Sequence, residues 1–136
     1  MTAPVSLSAC RVLVVENDYW SAREIEIWLR QAGSKVLGPV SSVSAALQLI
    51  ASNNPPDLSI LNPRLFNGER SYPVAERLRE LDLPYLFVTG RDDLTYHAAC
   101  QDRPVLLKPF GHYELFSALK KLLPQAITTL TEVIAS

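Results

Sequence analysis

Four apolar runs in this chain each end in a polar residue with chemical potential. Val12 to Val15 runs into Glu16-Asn17-Asp18, Leu58 to Leu61 into Asn62, Tyr85 to Val88 into Thr89, and Val105 to Leu107 into Lys108. Carboxylates such as Glu16 and Asp18 hold hard cations through oxygen. A hydroxyl and an ammonium, on Thr89 and Lys108, are suited to gripping an anionic group. Gathered in one place, the set has the layout of a phosphoryl site. Asn62 is the odd member, because a polar amide there either does chemistry or occupies the place where chemistry would happen.

The elements that would gather these residues are legible as alternating periodicities. Arg11-Val12-Leu13-Val14-Val15 is a β-branched run, apolar on both faces, as a parallel strand between helices should be. A helix follows, with Ile25, Trp28, Leu29 and Ala32 as its buried stripe and Gly33 as its stop. Ser21 and Glu24 match a capping box, with Asp18 as the alternative cap. Lys35 to Val40 is a second strand. Ser41-Ser42 caps a second helix, with Val43, Ala46, Leu47 and Ile50 inward, and Asn53-Asn54-Pro55-Pro56 breaks it. Leu58 to Leu61 is the third strand, and Pro63, which cannot donate to a ladder, ends it. Asn67-Gly68 signals a turn. Ser71 caps a third helix, with Pro73 in its first turn and Val74, Leu78 and Leu81 as its apolar positions. Tyr85 to Val88 is the fourth strand, a weaker fourth helix is expected in Asp93 to Cys100, and Pro104 to Leu107 is the fifth strand. The last clear helix carries Leu115, Phe116, Leu119, Leu122 and Leu123, and Pro124 is expected to interrupt or kink it. The tail keeps Ile127, Leu130, Val133 and Ile134 on one face.

This alternation argues for a doubly wound α/β fold: a five-stranded parallel sheet with helices on both faces. In the flavodoxin-like order 2-1-3-4-5, the first and third strands flank the switch point, and the four polar strand ends converge there. At 136 residues with 48% hydrophobic content, the chain is one domain with a sizeable core. A net charge of −1 gives no electrostatic case for nucleic acid or an anionic membrane. No apolar run reaches the ~20 residues of a membrane span, and Met1 to Ala9 lacks the features of a signal peptide. The expected compartment is the cytoplasm, with Cys10 and Cys100 reduced. His97 and His112 show no metal or phosphotransfer pattern.

The set Val14-Val15-Glu16-Asn17-Asp18, Pro56-Asp57-Leu58-Ser59-Ile60-Leu61-Asn62, Phe87-Val88-Thr89-Gly90 and Leu107-Lys108-Pro109-Phe110 resembles the receiver domains of bacterial two-component response regulators, over about Arg11 to Leu123. The resemblance implies the five-stranded fold above. It also implies transfer of a phosphoryl group from a histidine kinase to an aspartate at the end of the third strand, with Mg²⁺. In this chain the acceptor position is Asn62, and the two acidic metal positions are Glu16 and Asn17. An amide is a poor nucleophile, and Mg²⁺ relies on carboxylates. The expectation is therefore a degenerate receiver with no cofactor, or at most weak Mg²⁺ at Glu16 and Asp18. For Arg64 two readings stay open: a guanidinium that reaches Glu16 and supplies the positive charge of a metal, and a solvated surface side chain. Lys108 is expected to bond the Asn62 oxygen and a carboxylate. The resemblance further implies a cis Lys108–Pro109 bond, and a switch position at Val105, where an aromatic residue is usual.

The expected organisation is a loose arm (1–10), a receiver domain (11–123) and an amphipathic extension (124–136). No output domain is expected. The expected function is not enzymatic: a stand-alone, phosphorylation-independent module of a two-component phosphorelay. Its partners would be a histidine kinase or other signalling protein, and a second copy bound through the fourth helix, fifth strand and fifth helix or through the extension. Two alternatives stay open, a phosphoacceptor that uses Asp18 or Asp57, and a small flavodoxin-like nucleotide or flavin binder. The latter lacks a glycine-rich phosphate loop.

Overall fold

The computed structural model describes residues 7–90 and 103–135, with side chains described as far as Leu123. Strand β1 (Arg11–Val15) lies at the centre of the chain's organisation. Strands β2 (Lys35–Val40), β3 (Leu58–Leu61), β4 (Tyr85–Thr89) and β5 (Val105–Leu107) join it in one parallel sheet of order β2-β1-β3-β4-β5. Helices α1 (Tyr19–Gln31), α2 (Val43–Ile50), α3 (Tyr72–Glu80) and α4 (His112–Ala135) are the described helices. The fourth helix expected over Asp93 to Cys100 falls outside the described residues, as do Tyr96 and His97.

The two-residue period of a strand divides the core in two. Val12, Val14, Leu58, Ile60, Leu86 and Val88 face α1 and α4, meeting Ile25, Leu29, Leu115 and Leu119. Leu13, Val15, Leu61, Tyr85 and Phe87 face the other way and meet Ala46, Ile50, Val74 and Leu78 of α2 and α3. Both faces of β1, β3 and β4 are therefore dry, which explains why those runs show no polar alternation. Leu81 is not part of this core; it caps the end of α3 and is 40% exposed.

Three local features differ from the sequence reading. Residues 7–10 are not a loose arm, because Leu7 and Cys10 enter the core and Lys35 N donates to Cys10 O at 2.8 Å. Burial, with the nearby Asp57 charge, pushes the Cys10 thiol up to about 12, so it is a packed, inert group. Ser71 sits at the N-cap of α3, but its side chain makes no capping bond. Finally, α4 runs through Pro124 instead of breaking there.

The Gly38-Pro39 dipeptide marks an irregularity in β2. The register against β1 shifts there, from Leu13 opposite Leu37 to Val15 opposite Val40. Gly38 adopts φ +91, and a Cβ at that position would lie 2.7 Å from Val40 N and 3.1 Å from Val14 O. Both the backbone conformation and the space therefore require glycine. Gly38→Ala should lower the urea midpoint by the equivalent of more than about 1 kcal/mol.

Candidate functional site

The sheet register sets the pocket. Glu16 N donates to Val40 O at 2.9 Å and Asn62 N to Val15 O at 2.8 Å, so the residues that follow β1 and β3 stand side by side. Lys108 N donates to Thr89 O at 2.8 Å, which brings the ends of β4 and β5 to the same edge. The Lys108–Pro109 peptide is cis. Thr89 is buried there, and Val105, on β5, is 40% exposed.

The centre of the pocket is the Glu16 carboxylate, whose side chain is fully enclosed. Lys108 Nζ donates to Glu16 Oε1 at 2.7 Å. Asn62 Nδ2 donates to Glu16 Oε2 at 2.7 Å, and Asp18 N donates to the same oxygen at 3.1 Å. Asn62 Nδ2 also reaches Asn17 Oδ1 at 3.3 Å. Asn62 Oδ1 accepts from Arg64 N at 3.0 Å. A buried carboxylate is tolerated when it is paired and its lone pairs are filled, and both conditions are met here.

Of the two bonds expected of Lys108, the one to a carboxylate forms, at Glu16, while the Asn62 oxygen accepts from the Arg64 backbone instead. No bond joins the Arg64 guanidinium to Glu16; the cation at that carboxylate is Lys108. Lysine meets the carboxylate as a point charge.

Asp18 is the N-cap of α1: its Oδ2 accepts from Ser21 N at 2.9 Å, in preference to a Ser21–Glu24 box. The bonds from Ser21 hold its carboxyl below the ordinary value of 3.8. Asp57 lies at the other edge of the sheet, where Oδ2 accepts from Arg11 N at 2.8 Å. One carboxylate already carries an ammonium, one amide oxygen is bonded internally, and the second acid is turned to a helix end. Among the described residues, no group of three His, Cys, Asp or Glu is placed to hold a metal.

Beside the pocket, the β2 irregularity and the 3₁₀ turn Phe66–Gly68 open a cavity of about 420 Å³, lined by Asn17, Tyr19, Arg23, Pro39 and Phe66. His112 is exposed, but its ring lies 5.9 Å from Trp28 and 5.8 Å from Phe116, so it serves packing.

No protein-family model matches the chain. No curated protein matches its sequence either. Solved structures do. SdrG from Sphingomonas melonis Fr1 is 36% identical, with 87% of this chain and 98% of that chain covered and a TM-score of 0.75. A candidate response regulator from Chloroflexus aurantiacus J-10-fl is 31% identical over 86% of this chain and 99% of that one, with a TM-score of 0.73. The chain belongs to the response regulator receiver family. The response regulator PhyR from Brucella abortus shares the fold at 20% identity and a TM-score of 0.79. This receiver spans about half of PhyR, 54% of that chain. SdrG is also known in a BeF3-activated conformation, a structure 34% identical to this receiver with a TM-score of 0.68.

Two outcomes follow from the geometry. Lys108→Met leaves a buried carboxylate without its cation and should cost about 3 kcal/mol, much of it recovered in Lys108→Met/Glu16→Gln, read from urea unfolding. Asp18→Ala should cost about 1 kcal/mol at neutral pH. Because the folded Asp18 value is depressed, that contribution is present above 3.8 and is lost as pH falls through the folded value. The gap between wild type and Asp18→Ala should therefore close in acid.

Proposed function

We propose that this receiver works without phosphorylation, as a protein-binding module of a two-component phosphorelay in the cytoplasm. The observation that carries the reading is Asn62. At the end of β3, where a phosphoacceptor needs a free carboxylate oxygen, stands an amide with both ends occupied. Its Nδ2 donates to Glu16 and its Oδ1 accepts from Arg64 N. An amide oxygen does not form an acyl phosphate. The Asn62 amine and the Lys108 ammonium satisfy Glu16 from within, so the pocket needs neither phosphate nor Mg²⁺ for its order.

The contrast with SdrG supports this. That relative is known in a BeF3-activated form, and trifluoroberyllate mimics a phosphoryl group by coordinating a carboxylate oxygen. The corresponding chemistry has no partner at Asn62. The two displaced acids are poor substitutes, since Asp18 caps α1 and Asp57 holds Arg11 N at the far edge of the sheet. The module acts by contact with a histidine kinase or another signalling protein, and with a second copy of itself, and it is not a catalyst.

Incubation with acetyl phosphate and Mg²⁺ should add no phosphoryl mass to the intact protein. A stable adduct at any residue of the pocket would falsify the reading. Asn17→Asp/Asn62→Asp should restore Mg²⁺ binding, seen as a magnesium-dependent rise in melting temperature that wild type lacks.

A further inference from the structure

Helix α4 is longer than the sheet it covers. Residues 112–123, the first half of its 24 residues, bury Leu115, Leu119, Leu122 and Leu123 in the domain core. At 1.5 Å per residue this half spans ~18 Å, about the length of a five-residue strand. The helix leaves the pocket edge of the sheet after β5 and runs back along it, and its second half continues for a further ~18 Å.

The composition of that second half does not sustain an isolated helix. Ile127, Thr128, Thr129, Thr131, Val133 and Ile134 are β-branched, and Pro124 lacks a donor. Most helical stability in such a segment comes from packing an apolar face. In heptad register Ile127 and Ile134 fall at a and Leu130 at d. β-branched residues at a with leucine at d favour two parallel strands. The flanking e and g positions are Thr131, Ala126 and Val133, all uncharged. Glu132, the one charged residue after Lys121, falls at f, away from the seam. Two identical helices therefore meet without like-charge repulsion. The segment has no basic residue for an anionic membrane or an acidic peptide.

We propose that α4 beyond Leu123 pairs with the same segment of a second copy of this chain as a short parallel coiled coil. This specifies the self-association named under the proposed function and does not depend on whether the pocket accepts a phosphoryl group. Either can fail alone.

The test is sedimentation equilibrium of the full chain, with circular dichroism as a check that each variant remains folded. Wild type should sediment at twice its 15.1 kDa. Leu130→Lys should give a folded monomer with a domain melting transition intact. The exchange Ile127→Leu/Leu130→Ile/Ile134→Leu places leucine at a and isoleucine at d. It should move the assembly to trimers or tetramers, which a contact through any other surface would not do. A monomeric wild type overturns the proposal, and so does a dimer that survives Leu130→Lys, because it pairs through another surface.

Discussion

The pocket is built around the cost of burying one carboxylate. Glu16 follows β1 directly, its position fixed by the ladder, and its side chain has no access to water. A charge in that position requires a cation and hydrogen bonds to its lone pairs. Lys108 arrives from the end of β5, Asn62 from the end of β3, and the backbone of Asp18 from the turn into α1. Three strand ends and one helix start are thus tied to a single functional group. The parallel sheet makes this possible, since its order places β1 between β2 and β3 and brings every crossover back to the same edge.

The amide at position 62 changes what that arrangement does. A carboxylate there would stand against Glu16 as a like charge and call for a divalent cation between them. The amide presents an N–H to Glu16 instead, so attraction replaces repulsion with no added ion. Family membership is therefore compatible with the proposed loss of the usual chemistry. Glu16, Asn62 and Lys108 satisfy one another at the polar edge of the fold, and it is this mutual satisfaction that we propose stands in place of phosphoryl transfer.

Most of the fold was readable because the periodicities are strong. The unbroken apolar run of β1 and the 3.6-residue stripes of α1 and α2 placed those elements within a residue or two, and the family motifs placed Glu16, Asn62, Thr89 and Lys108 at one edge. Partner choice within the pocket was harder to read. Arg64 and Lys108 are both long cations near Glu16 in the sequence argument, and residue type and spacing do not decide between them; the ion pair that forms is with Lys108. Cys10 and Leu7 looked like an arm because two apolar residues in a short polar stretch carry no period. The irregularity in β2 did have a marker, the Gly38-Pro39 pair, and with it the cavity beside Asn17 was within reach.

The central claim is that internal bonds to Glu16 and Asn62 leave the pocket unresponsive to phosphoryl chemistry. Amide and side-chain resonances of ¹⁵N-labelled protein, recorded while Mg²⁺ and beryllofluoride are added, test it most directly. The account predicts that the Asn62 side-chain NH₂, Glu16, Thr89 and Lys108 signals stay in place to saturating ligand. Concerted, saturable shifts centred on those residues would contradict it, because they would show an anion or a metal displacing the bonds on which the account depends.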